Sequence, residues 1–439
     1  MTKQTNKRSR RTLGLAGALA AVVVVGGGAY WYLSNSNAQS GPVELTVVCS
    51  TAGDEAALCR RDVDAWAKMT GNKVAVVPAP NQSSLHLSVI QEASLTKVPV
   101  DVFRVDTIWP GMLTKDLLDL KPYFSQADLA GFFPRLVAND TVDGRLLAIP
   151  HVTDAGLLFY RTDLLAKYGY SHPPTSWDEL TEMAARVQAG ERAAGKKGFW
   201  GYVWQGGQYE GLTCDALEWI TTYGGGNIVE PDGKVTINNP QAVAALQMAR
   251  NWIGTISPPN VLSMDEDGAR AVWDAGNALF MRNWPYAYGL SEKPESQAHG
   301  RFDVEPLPKG PAGVGAATLG GWQLAVSVNT RHPKEAADLV RYMTSDKVEK
   351  AWAMLGYNSS RSAVYKDPEV LAANPFYARM PSILDAAVSR PAGVTGLKYD
   401  VVSTAFFTAV SQVLNGKAEA STALADLQRN LEALKGASW

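Results

Sequence analysis

Residues 43–105 alternate between strand-like and helix-like apolar periods, and this alternation constrains the fold more than any other feature of the chain. Residues 43–49 form a short apolar run, after which Cys59, Val63, Trp66 and Met69 recur at helical spacing. Residues 73–77 return to β-branched strand character, Leu85, Val89 and Ala93 predict a second helix, and residues 100–105 predict a third strand. Strands joined through helices run parallel, with helices on both faces. The expected class is therefore α/β, built on mainly parallel sheets.

Such sheets present their loops and ligands beyond the carboxyl ends of the strands. The loops leaving those ends here carry Glu55 and Asp106, which become site candidates, although a carboxylate at Asp106 also suits a loop or helix cap. A second α/β unit begins after residues 149–154. Residues 155–160 read as a strand, and Thr175-Ser-Trp-Asp-Glu-Leu180 opens a helix with a capping-box pattern. Further helices are expected near residues 239–253, 334–344 and 402–415, with no internal repeat. A chain of 439 residues is long enough for two or three domains.

Forty-one basic against 43 acidic residues leave a formal charge of −2, which gives no electrostatic footprint for nucleic acid. Residues 1–40 read as a targeting segment, basic over 3–11 and apolar over 13–25. It is either a cleaved signal peptide or, over residues 13–33, an uncleaved membrane anchor with Tyr30, Trp31 and Tyr32 at the far interface. Ser9-Arg10-Arg11 is similar to a twin-arginine export signal, with Sec export the alternative. Both outcomes place the chain on the periplasmic or extracytoplasmic side of the bacterial inner membrane. There Cys49 and Cys59 either pair as a disulfide or pack as small apolar side chains, while Cys214 reads as packing. No His or Cys cluster has metal-ligand spacing, and no cofactor is indicated.

Two segments set large flat side chains beside chain-breaking residues: Arg282-Asn-Trp-Pro-Tyr-Ala-Tyr-Gly289 and Ala317-Thr-Leu-Gly-Gly-Trp-Gln-Leu324. Aromatic rings on irregular backbone suit stacking on a planar or pyranose face, which points to a sugar site containing Trp284 and Trp322.

Asp101-Val-Phe with Asp106, Asp154-Ala-Gly-Leu-Leu-Phe-Tyr-Arg161, Lys167-Tyr-Gly-Tyr-Ser171, Gln208-Tyr-Glu-Gly-Leu212 and the two aromatic segments resemble the trehalose/maltose-binding proteins. Those are solute-binding subunits of ABC sugar importers in the maltose-binding-protein-like class, and the resemblance runs from Val43 onward. It implies a monomeric two-lobe clamp of the type II periplasmic-binding-protein fold. Lobe 1 would take residues 43–152 and about 322–360, and lobe 2 residues 153–321 and about 361–439. It implies a disaccharide ligand in the interlobe cleft and a membrane permease as partner. By position it assigns ligand contacts to Glu55, Asp106, Asp154, Trp284, Tyr286, Gly321, Trp322 and Arg390.

Two departures bear on which disaccharide fits. Leu85 and His86 stand where the family pattern carries a ligand-contacting arginine, so His86 is a candidate substitute donor. Val152 replaces an aromatic. Two other classes compete: a glycoside hydrolase, which would place two carboxylates across a sugar and release glucose, and a membrane-anchored sugar sensor.

Overall fold

The computed structural model describes residues 41–439 apart from 52, 81, 97 and 98. The signal or anchor segment expected at residues 1–40 lies outside the described residues. Among the described residues no helix is long and apolar enough to cross a membrane.

The strands are β1 Glu44–Ser50, β2 Lys73–Ala79, β3 Val102–Asp106, β4 Thr141–Val142, β5 Arg145–Leu146, β6 Ile149–Ala155, β7 Leu157–Arg161, β8 Trp200–Val203, β9 Ala278–Asn283, β10 Phe302–Pro306 and β11 Leu319–Val326. β4 and β5 are a minimal hairpin turned by Asp143 and Gly144, both at positive φ, as a tight two-residue turn requires. The others form two sheets, of order β2-β1-β3-β11-β6 and β10-β7-β9-β8. β11 is antiparallel to both its neighbours and β7 to both of its own, so each sheet is a set of like-directed strands with one reversed strand.

Strand alternation builds the first sheet's two cores. Leu45, Val47 and Cys49 of β1 pack with Val63 and Trp66 of helix Glu55–Thr70 and with Leu339 and Val340 of helix Pro333–Met343. Val48, between them in sequence, faces the other way, toward Leu87 and Ile90 of helix Ser83–Thr96. Each fully buried large apolar side chain contributes about 1.5–3 kcal/mol, so the period-2 pattern fixes which face each helix covers. Cys49 and Cys59 form a disulfide that ties β1 to the helix beginning at Glu55.

The second sheet packs against helices Trp177–Ala193, Glu210–Thr222 and Pro240–Trp252. The tail helices Tyr399–Leu414 and Ala420–Lys435 return to this same core through Val402, Phe406, Leu424 and Leu427.

Strand pairing shifts the division expected from the resemblance. β6 stays in the first sheet through Ala155 and β11 belongs to it from Leu319, so boundaries at residues 152 and 321 fall inside strands. The chain instead changes sheet at Gly156 and between Pro306 and Leu319. The reason for a glycine at the first change is steric. A Cβ on Gly156 would lie 2.3 Å from Glu218 Oε1 and 2.7 Å from Arg282 Nη2, a buried ion pair of the second unit.

Candidate ligand-binding cleft

β11 carries the Gly-Gly-Trp segment between two carboxylates. Its register sets Trp322 opposite Asp106 on β3 and Gly320 opposite Asp154 on β6. Directly opposed residues share a face, as do residues two apart on one strand, so Asp106, Trp322, Gly320 and Asp154 meet on one face of the first sheet. Both glycines are sterically required. A Cβ on Gly320 would stand 2.9 Å from Trp284 Cζ3, and one on Gly321, at φ +130°, only 2.4 Å from the Val152 carbonyl oxygen.

The second sheet supplies the facing wall. Trp284 follows β9, Pro285 turns the chain, and Tyr286 begins helix Tyr286–Ser291. Glu210 and Glu266 begin helices Glu210–Thr222 and Glu266–Asp274. All eight positions that the resemblance assigns to ligand contact, Glu55, Asp106, Asp154, Trp284, Tyr286, Gly321, Trp322 and Arg390, line one cleft. The cleft encloses about 600 Å³ of space unfilled by protein atoms, part of it open solvent.

Each indole lies against a guanidinium. Arg104 sits 3.9 Å from the Trp322 ring centroid and is held by Glu55 at 2.8 Å. Arg282 sits 4.0 Å from the Trp284 ring centroid and is held by Asp215 at 3.0 Å and Glu218 at 2.6 Å. These contacts fix the ring planes by cation–π attraction and by packing. Arg390 spans the cleft, donating to Asp106 at 3.1 Å and to Glu210 at 2.8 Å. Asp106 also accepts from Ser83 Oγ at 2.9 Å, and Glu266 accepts from Tyr209 at 2.7 Å and Trp284 Nε1 at 3.2 Å.

Acids outnumber cations here. Asp154 is buried, and its Oδ1 has no hydrogen-bond partner among the described residues. Burial first, then the neighbouring Glu55 charge, raise its carboxyl to about 7, and Arg104 only partly offsets this. Burial also raises Glu210 and Glu266. The cleft therefore offers surplus acceptors and two apolar plates, the complement of a polyhydroxylated ring.

His86 is placed differently from its expected role as a donor. It is fully buried, 5.0 Å from the Trp322 ring centroid and 5.7 Å from that of Trp109, and is not a lining residue. Burial, reinforced by Arg104, lowers its pKa to about 3, so it supports Trp322 as a neutral ring. Leu85 beside it is exposed. Val152 likewise packs beneath Trp284 and Trp322 with Leu58 and Tyr357.

Sequence reasoning missed Ser83, Tyr209, Glu210, Gly211, Glu266 and Gly320 as lining residues; Cys214, read as packing, is buried and also borders the cleft. Tyr209 and Glu210 stood inside a quoted motif. Glu266 gave only the signature of an acidic helix start, since Asp265 caps that helix by accepting from the Gly268 N–H.

Residues 53–350 match the family model for bacterial extracellular solute-binding proteins. A probable ABC transporter-binding protein of Deinococcus radiodurans is 49% identical over 403 residues, 91% of this chain and 96% of the relative. The structure of maltose-bound MalE3 from T. maritima superposes with a TM-score of 0.84 at 36% identity, covering 89% of this chain and 100% of the other. The GacH receptor of Streptomyces glaucescens, solved unliganded and with acarbose, shares the fold at 22% identity and a TM-score of 0.79, covering 91% of this chain and 100% of its own.

Proposed function

We propose that this chain, which belongs to the bacterial extracellular solute-binding protein family, captures an α-glucosyl disaccharide between its two sheets and presents it to an ABC importer permease. The observation that carries the reading is the pair of guanidinium-backed indoles, brought from different sheets to one acid-lined cleft. A pyranose packs its C–H face on an indole and donates its hydroxyls to carboxylates. Trehalose or maltose, or a related glucoside, suits two such plates. The likeness to a maltose-bound protein at 36% identity supports that choice.

Capture proceeds by closure. Asp106 and Trp322 belong to the first sheet, whereas Trp284, Glu210 and Glu266 belong to the second unit, so a ligand touching both groups favours the state that brings them together. The hinge lies where the chain changes sheet, at Gly156 and between Pro306 and Leu319. The closed monomer presents a different surface to the permease, so occupancy is reported without chemistry. The protein works outside the cytoplasmic membrane, released or anchored through residues 1–40.

Calorimetry and tryptophan fluorescence with trehalose, maltose, sucrose, glucosylglycerol and maltodextrins test this. One α-glucosyl disaccharide should bind at micromolar Kd or tighter, about −8 kcal/mol or better, shift the emission of Trp284 and Trp322, and be recovered intact. Release of glucose would instead establish a hydrolase. If no disaccharide changes fluorescence, heat or melting temperature, the disaccharide assignment is wrong.

A further inference from the structure

The cations around the cleft are already committed, and one acid is left over. Arg104 lies against Glu55 at 2.8 Å, Arg282 is divided between Asp215 at 3.0 Å and Glu218 at 2.6 Å, and Arg390 between Asp106 at 3.1 Å and Glu210 at 2.8 Å. Glu266 accepts from neutral donors, Tyr209 and Trp284 Nε1. Asp154 is 8% exposed, and its Oδ1 has no hydrogen-bond partner among the described residues. The guanidiniums that act on it, Arg104 and Arg282, are those bound to other acids.

Its place faces the ligand. Asp154 stands opposite Gly320 in the β6–β11 register, and a Cβ on Gly320 would lie 3.5 Å from the Asp154 Cβ and 2.9 Å from Trp284 Cζ3, so the carboxyl borders the cleft next to that indole. Glu55, Asp106, Asp154, Glu210 and Glu266 all border the cleft, and among the described lining residues Arg390 alone is basic. Sugar hydroxyls donate to such carboxylates but bring no charge. Closing the lobes over a neutral ring therefore buries the excess, and a buried carboxylate without a counter-charge is costly. Burial and Glu55, which push the Asp154 carboxyl up to about 7, mark the same shortage of positive charge. Among the described residues no group of three or more His, Cys, Asp or Glu side chains is set to hold a metal ion, so the matching cation is organic. An ammonium offers three N–H donors where a hydroxyl offers one, and its bond to a carboxylate is charge-assisted.

We propose that the cleft prefers an amino-substituted α-glucosyl disaccharide, in which a protonated amine takes the place of one hydroxyl and is held by Asp154. This rests on the disaccharide reading of the cleft and sharpens the ligand class from a neutral glucoside to a monocationic one. The two indoles take the rings, and Asp154 reads the charge.

Calorimetry on the purified protein at neutral pH should compare trehalose and maltose with their monoamino derivatives, the amine placed in turn at each hydroxyl-bearing carbon of one glucosyl ring, and with the N-acetyl form of each. At least one amine should bind about tenfold tighter than its parent sugar, the gain expected when a charge-assisted bond replaces a neutral one. N-acetylation keeps the nitrogen and removes the charge, and should cancel that gain. Asp154→Asn, nearly isosteric, should also cancel it while the neutral parent still binds, which shows that the variant is folded. Glu266→Gln, which removes one negative charge elsewhere in the cleft, should keep most of it. The proposal is overturned if no amine binds tighter than its parent, if the acetylated form or Asp154→Asn keeps the gain, or if Glu266→Gln loses as much of it as Asp154→Asn. Neutral disaccharide binding with no gain from any amine leaves the disaccharide reading standing, whereas binding of no sugar, neutral or aminated, removes both.

Discussion

Lowering the pH from 8 to 5 should weaken ligand binding by up to about a hundredfold, with the loss setting in below pH 7. The reason is Asp154. Burial, then Glu55 and Asp106, push its carboxyl from an ordinary 3.8 to about 7, and the nearby cations do not rescue it. Arg104 is committed to Glu55 and Arg282 to Asp215 and Glu218. Tyr365 and Tyr377 also feel Asp154, but burial raises both well above the tyrosine range and they stay neutral here. Ligand hydroxyls donating to the carboxylate stabilise its ionised form, so the complex holds fewer protons than the empty cleft. Affinity is then full above pH 7 and falls as the pH drops through 7. Each unit costs about 1.4 kcal/mol, hence about 2.7 kcal/mol between pH 7 and 5. Calorimetry across this range gives the slope. At pH 6, titrations in two buffers of different ionisation enthalpy should report release of about one proton per ligand. Asp154→Asn should flatten the profile and, with one acceptor lost, bind more weakly than wild type at pH 8. A wild-type affinity that is level or rises toward pH 5, or an Asn variant that keeps the slope, would refute the reasoning.

Three further outcomes follow from the same geometry. Burial raises Asp140 to about 8, so the native state keeps a proton that the unfolded chain sheds above pH 4, and stability falls as pH rises from 4 to 8; Asp140→Asn should add about 1–3 kcal/mol at pH 7.5, read from urea unfolding, and little at pH 4. Gly320→Ala drives a methyl against Trp284 and should weaken binding about tenfold or more with a small change in melting temperature, whereas Gly321→Ala, at φ +130° and against the Val152 carbonyl, should cost about 2–4 kcal/mol of stability in thermal melts. Asp106→Ala should cost about 2–4 kcal/mol of binding by calorimetry while the fold holds, because Arg390 retains Glu210.

The sequence made the first β-α-β-α-β unit legible because its strands are short valine-rich runs and its helices place apolar side chains at helical spacing, so the segments bearing Glu55 and Asp106 could be placed beforehand. The aromatic segments marked Trp284 and Trp322 through the glycine and proline beside them. What stayed hidden depends on contacts distant along the chain. Arg104 sits within the strand run Val102–Asp106 and reads as an anomaly there until Glu55 and Trp322 close around it. His86 shows no local sign that two indoles bury it. The exchange of sheet at Gly156 was misplaced by a few residues, since β6 and β7 differ by one glycine and only cross-strand pairing separates them.

The cation behind each indole belongs to the same half of the molecule as the ring it supports. Arg104 on β3 pairs in register with Leu324 on the strand of Trp322, and Arg282 precedes Trp284 by two residues. Each half-site is thus assembled within its own half, so the closure proposed above would bring two finished sockets together without rebuilding either. Substitutions in opposite sockets should therefore add in binding energy, whereas those within one socket should couple, a difference that double-mutant cycles resolve. Such a clamp is modular to selection: one socket is free to drift toward a new ring while the other keeps its grip on the old one.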